Sequence, residues 1–69
     1  LGVPLDLNQA SAAELAQVPG ITQTLAERIV AQRNRLGGFS KMEDLRAVKG
    51  IGPVTIKRLR EYLTVDTKY

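Results

Sequence analysis

The chain has 69 residues, ten Lys and Arg against seven Asp and Glu, and neither cysteine nor histidine. That length suits one small domain, and the missing residue types exclude a disulfide framework, a thiolate zinc site and histidine acid–base chemistry. No apolar run reaches the length of a membrane span, and Leu1 in place of methionine is expected of a processed or excised piece, its targeting information lost with whatever preceded it.

Residues 1–10 read as an extended lead-in, with Pro4 opposing helix and Leu5 and Leu7 free to pack. Ser11 and Glu14 form an S-x-x-E capping box, in which the Ser hydroxyl accepts an N–H one turn in and the Glu reaches back. A short helix over 12–17 follows, Leu15 inward, and Pro19-Gly20 breaks it. Thr22 is the expected N-cap of a longer helix over 23–36. Its Leu25, Ala26, Ile29, Val30 and Leu36 share one stripe, and Arg28, Gln32 and Arg35 fall elsewhere. Gly37 suits a left-handed helix end. Ser40 and Glu43 repeat the capping box ahead of a third helix over 41–47, with Met42 and Leu45 inward. After Gly50-Ile51-Gly52, Pro53 opens a fourth helix, at a position where a missing N–H costs nothing. Ile56, Leu59 and Leu63 make its stripe, and Lys57 can pair with Glu61 at i, i+4. No segment alternates with period two, so no sheet is expected.

Shifted by 30 residues, the chain matches itself. Val18, Gly20, Ile21 and Arg28 fall on Val48, Gly50, Ile51 and Arg58, and Leu15 falls on Leu45. Two short helices, two glycine turns and two following helices make a duplicated hairpin. The expected fold is all-α, four to five short helices closing around a pseudo-twofold axis over 11–65, with a tail at 66–69. Charge is unequal along the chain. All ten basic residues lie in 28–69 against Glu43, Asp44, Glu61 and Asp66, whereas 1–27 holds Asp6, Glu14 and Glu27 and no base. A polyanion would therefore be sought on the basic part.

The second turn spends two glycines where one would serve. Gly50 can supply the positive φ of a tight turn. Gly52 precedes Pro53, where extended backbone is expected and a β-branched residue would fit. Either both glycines permit close helix crossing, or Gly52 leaves room for a group from outside. In the second case, bare backbone, free N–H groups and the positive end of a helix dipole converge on one point, which suits a phosphate. Lys49 and Lys57 flank that point, and Ile51 would anchor the turn to the core. The first turn has Thr22 where Gly52 stands, Gln23 for Pro53 and Glu27 for Lys57, so its neighbours are mostly uncharged.

VPGITQTLAERI and VKGIGPVTIKRL resemble the two hairpins of a tandem helix-hairpin-helix DNA-binding domain. LDLNQASAAELAQVPGI and FSKMEDLRAVKGIG are similar to the competence protein ComEA family, the DNA receptor of natural transformation, over about residues 5–65. The resemblance implies sequence-independent binding of double-stranded DNA on the minor-groove side. The main-chain donors would be Gly50, Gly52, Val54 and Thr55, seconded by Gly20, Thr22 and Thr24, with Lys49 and Lys57 beside them. It also implies a monovalent cation (K+ or Na+) on the carbonyls of Arg46, Val48 and Ile51 and no other cofactor. An extracytoplasmic place on an N-terminal anchor, among other envelope DNA-uptake proteins, belongs to the same expectation; the alternative compartment is the cytoplasm. The departures at Thr22 and Gln23 count against equal use of the two hairpins.

Catalysis is not expected, and no small-molecule substrate is. Val65-Asp66-Thr67 superficially matches the aspartate context of helix-hairpin-helix glycosylases, but Asp66 follows Gly52 too soon and no second domain forms a base pocket. The alternative is a structural protein–protein module of the same fold, an extrinsic subunit or a dimerisation element. The intact GIGP turn, with Lys49, Lys57, Arg58 and Arg60 and no acid from 49 to 60, favours nucleic acid over it. A membrane surface is the weaker partner for the basic half, because no helix pairs a basic face with exposed bulky apolar residues.

Overall fold

Four of the six secondary elements, the helices, follow from caps and apolar spacing, and the two strands from the pairing they make with each other. In the computed structural model, which describes residues 5–65, the Ser11 hydroxyl accepts from the Glu14 N–H at 3.1 Å and the Glu14 carboxylate accepts from the Ser11 N–H at 2.9 Å. This box starts helix α1, Ala12–Leu15. The expected extension to residue 17 is instead a tightening of the chain, with Gln17 and Val18 donating to carbonyls three residues back. Helix α2, Gln23–Leu36, has the expected limits: Thr22 caps its start and Gly37 ends it at φ 74°.

The third helix is a 3-10 helix, Met42–Ala47, rather than the expected α-helix over 41–47. Met42, Leu45 and Val48 are all buried, and a spacing of three is the pitch of that helix. Its cap also differs from the expected Ser40–Glu43 box. Asp44 Oδ2 accepts from the N–H groups of Ser40 (2.9 Å) and Lys41 (3.3 Å), which leaves Glu43 free to pair with Arg60. Helix α3, Pro53–Leu59, begins where Pro53 predicts. It is too short for the expected Lys57–Glu61 pair, since Glu61 lies beyond its end; Arg60–Glu43 is the ion pair found among the described residues.

Leu63 belongs to no helical stripe. It lies in β2, Leu63–Thr64, which pairs in parallel with β1, Leu5–Asp6, in the register Leu5 to Leu63 and Asp6 to Thr64. No sheet was expected, and strands of two residues are too short to show alternation. The pairing joins the two ends of the described chain, and Leu7 N–H extends it by donating to Thr64 O at 2.8 Å. Beyond β1 the lead-in turns instead of staying extended, and it buries Leu7 and Ala10. Asn8 acts as a substitute peptide toward Phe39, accepting from its N–H at 2.6 Å and donating to its carbonyl at 2.9 Å. Arg33 of α2 donates to the carbonyls of Leu7 (3.1 Å) and Ala10 (2.6 Å).

The core is aliphatic, as the composition requires. Leu7, Leu15, Ile29, Leu45, Leu59 and Leu63 are fully buried, and Phe39 joins them. Leu36, expected on the buried stripe, is 51% exposed, because the last turn of α2 runs past the end of the core. α1 packs on α2 and the 3-10 helix on α3, so each glycine turn lies between a helix and its packing partner. The tail at 66–69, Asp66 included, and the first four residues, Pro4 included, lie outside the described residues.

Candidate nucleic-acid interface

The second turn begins where the 3-10 helix ends. Val48 is buried, and its carbonyl accepts from the Ile51 N–H at 3.1 Å, a bond that closes the turn over Lys49 and Gly50. Gly50 takes φ 101°, a conformation that L side chains rarely adopt. Ile51 folds back into the core at 6% exposure and fixes the turn's depth. Gly52, the N-cap of α3, has φ −113° and ψ −179°, ordinary extended backbone ahead of Pro53. A Cβ built there meets nothing within 4 Å. Neither conformation nor internal packing calls for glycine at 52, and close helix crossing is not its purpose.

The donors stand free. The Gly52 cap has no side chain to satisfy the first turn of α3, and the N–H groups of Gly50, Gly52, Val54 and Thr55 have no acceptor within the described fold. Lys49 and Lys57 are exposed near them, and Val54 is 74% exposed. Arg58 is exposed and makes no ion pair among the described residues. Arg60 is different, since Glu43 holds it. The Glu43 carboxylate lies below its ordinary value, first through its own backbone amide and then through Arg60 and Lys41, against an opposing desolvation. Arg60 therefore belongs to a local pair and not to the free positive charge of the turn.

The first turn copies the backbone and changes the donors. Gly20 has φ 95°, Ile21 is 4% exposed, and the Ile21 N–H donates to Val18 O at 3.0 Å. Thr22 is extended like Gly52, but its hydroxyl accepts from the Leu25 N–H at 3.1 Å. Leu25 is the counterpart of Thr55 at the 30-residue shift, so one donor that is open in the second turn is consumed in the first. Among the described residues, the N–H groups of Gly20, Thr22 and Thr24 find no acceptor. Gln23 Nε2 donates to Glu27, and a carboxylate stands where the second unit has Lys57.

The sequence carried no sign of a contact that crosses between the units. Arg28 of α2 reaches the second turn, its Nη1 donating to the Lys49 carbonyl at 3.3 Å. The 30-residue match with Arg58 was the sole signal that this position was more than surface. Around the same turn, among the described residues, the carbonyls of Arg46 and Ile51 accept no hydrogen bond, and that of Val48 accepts one and keeps a second lone pair. Those three oxygens thus retain the hard, neutral donors that an alkali cation prefers.

A family model described as the helix-hairpin-helix motif, a nucleic-acid-binding motif, matches residues 2–64. The chain is 38% identical over 64 residues to the endonuclease/exonuclease/phosphatase family domain-containing protein 1 of Xenopus laevis, covering 93% of this chain and 12% of that protein. The protein of the same name from Homo sapiens is matched equally, over 11% of its length. An uncharacterised protein of Neisseria meningitidis serogroup B is 38% identical over 93% of this chain and 8% of its own length. The chain thus spans about a tenth of the length of the curated relatives it matches.

Proposed function

We propose that this chain, which belongs to the helix-hairpin-helix family, binds double-stranded DNA without sequence preference. The N–H groups of Gly50, Gly52, Val54 and Thr55 take a phosphate, with Lys49 and Lys57 supplying charge beside it. The observation that carries this is Gly52, a glycine that the fold itself does not need, set among unsatisfied donors. A side chain there would stand where the anion must approach. Main-chain groups aimed at phosphates carry no sequence code, so affinity is to come from backbone contacts and charge.

The two turns act as a tandem pair related by a pseudo-twofold axis, each taking one strand's phosphate across the minor groove. The second is the stronger, because the Thr22 hydroxyl consumes a donor in the first. The carbonyls of Arg46, Val48 and Ile51 hold a monovalent cation that would steady the second turn and add positive potential beneath the phosphate. We assign the module no catalytic step. The finer role is that of a DNA receptor in competence, held outside the cell membrane among other DNA-uptake proteins. It is supported by the likeness of the lead-in LDLNQASAAEL and the linker FSKMEDLRAVKGIG to the ComEA family. The test is anisotropy titration of unrelated duplexes with the wild-type chain and Gly52→Val: equal binding to every duplex and a weakened variant support the proposal, and a variant that binds as well as wild type overturns it.

A further inference from the structure

We propose that Arg28, from the first helical unit, is a positioning residue for the second unit's DNA-binding turn; this rests on the duplex-binding reading above. Three observations meet at the Lys49–Gly50 peptide. Arg28 Nη1 donates to the Lys49 carbonyl at 3.3 Å. A Cβ at position 50 would lie 3.6 Å from that same Nη1 and 3.6 Å from Leu25 Cδ1, so the guanidinium and the first turns of α2 sit against the Gly50 α-carbon. The Gly50 N–H itself has no acceptor among the described residues.

A trans peptide is planar, with its C=O and N–H pointing in opposite directions. Holding the Lys49 oxygen toward Arg28 therefore turns the Gly50 N–H away from α2, toward the open side of the turn. Glycine at positive φ has an unusually free backbone, so without such a tie that peptide plane can rotate. The bond also draws electron density toward the carbonyl and makes the amide opposite it a better donor. Arg28 makes no ion pair among the described residues, so no carboxylate competes for it. At the first turn nothing equivalent is found: Asn8, Arg28 and Arg33 are the side chains that donate to main-chain carbonyls among the described residues, and Arg58, the counterpart of Arg28 at the 30-residue shift, is not one of them. Only the second turn is braced in this way among the described residues, and it is the turn whose donors are all free.

The experiment titrates the 15N-labelled chain with a short mixed-sequence duplex and compares wild type, Arg28→Met and Arg28→Lys. Arg28→Met removes the donor while keeping an unbranched chain against Gly50; it should weaken binding roughly three- to tenfold, the worth of one hydrogen bond. Its salt slope should equal that of wild type, and the downfield shift of the Gly50 amide proton on adding DNA should disappear. Arg28→Lys, which can still donate to the carbonyl, should restore most of the affinity and the Gly50 response, which mere loss of folding would not do. Undiminished binding and an intact Gly50 response in Arg28→Met would overturn the proposal. So would a salt slope flattened by about one unit, which marks a direct phosphate contact. A wild-type chain that binds no duplex at all would overturn the parent reading instead, and is told apart by that control.

Discussion

Replacing Gly52 by valine separates binding from folding, because the structure assigns glycine no internal duty there. At φ −113° and ψ −179°, ahead of a proline, valine is in its preferred region, and its Cβ has open space. Two opposed effects act on stability. Lost freedom of the unfolded chain stabilises by about 0.4–1 kcal/mol, while valine at an N-cap is worse than glycine by a similar amount. The net change should lie within about 1 kcal/mol, roughly 4–8 °C in the thermal midpoint of so small a domain. Binding should suffer far more. The side chain blocks the approach to at least one N–H-to-phosphate bond, and a hydrogen bond to a charged group contributes about 1.5–3 kcal/mol, or roughly ten- to hundredfold in Kd. Gly50→Val is the contrast. At φ 101° it should lose both stability and binding, since L side chains are strained there. Thermal melts and anisotropy titrations at one low salt concentration read both effects. A Gly52→Val chain that melts and binds like wild type would refute the reasoning.

Thr22→Val should lower stability by about 0.5–2 kcal/mol through the lost bond from Leu25 N–H, yet weaken DNA binding less than Gly52→Val, as melting and titration together would show. Lys49→Ala and Lys57→Ala should each lower affinity and flatten the salt slope by about one unit, whereas Arg58→Ala should change affinity least; equal losses at all of them would indicate a diffuse basic surface. Arg60→Ala should also leave the salt slope nearly unchanged, because Glu43 already neutralises that guanidinium. The lowered Glu43 value means stability that is present above pH 4.5 and lost as pH falls through the folded-state value; in acid melts this loss should be smaller in Glu43→Gln. Arg33→Ala should destabilise by about 1–3 kcal/mol by stranding the part-buried carbonyls of Leu7 and Ala10, measurable by urea unfolding.

What was legible in the sequence is what is local. Thr22, fourteen helical residues and Gly37 mark α2 at both ends, and the Ser11–Glu14 box forms as its spacing dictates. The second box shifts because the helix starts one residue later than expected, with Lys41 as its N-cap and Asp44 third in the helix, so the Asp44 carboxylate, not that of Glu43, accepts from the N–H groups of Ser40 and Lys41. Period three at Met42, Leu45 and Val48 was visible in the sequence, but six residues do not separate it from an α-helical stripe. The β1–β2 pairing, the Asn8–Phe39 exchange and the Arg60–Glu43 pair join residues far apart in sequence, where spacing carries no signal. At the candidate interface, positive φ at Gly50 was legible from the turn it must make. The open space at Gly52 was inferable only from the proline after it. Arg28 was not legible as a partner of Lys49, since its contact depends on how the two units pack.

The most direct test of DNA binding through backbone donors and a few cations is equilibrium binding to several unrelated duplexes across a salt series. If roughly three to five phosphates are neutralised, log K should fall linearly with log salt at a slope of about −3 to −4.5, with the same line for every duplex. An interaction indifferent to salt, or one duplex bound far more tightly than the rest, would contradict it.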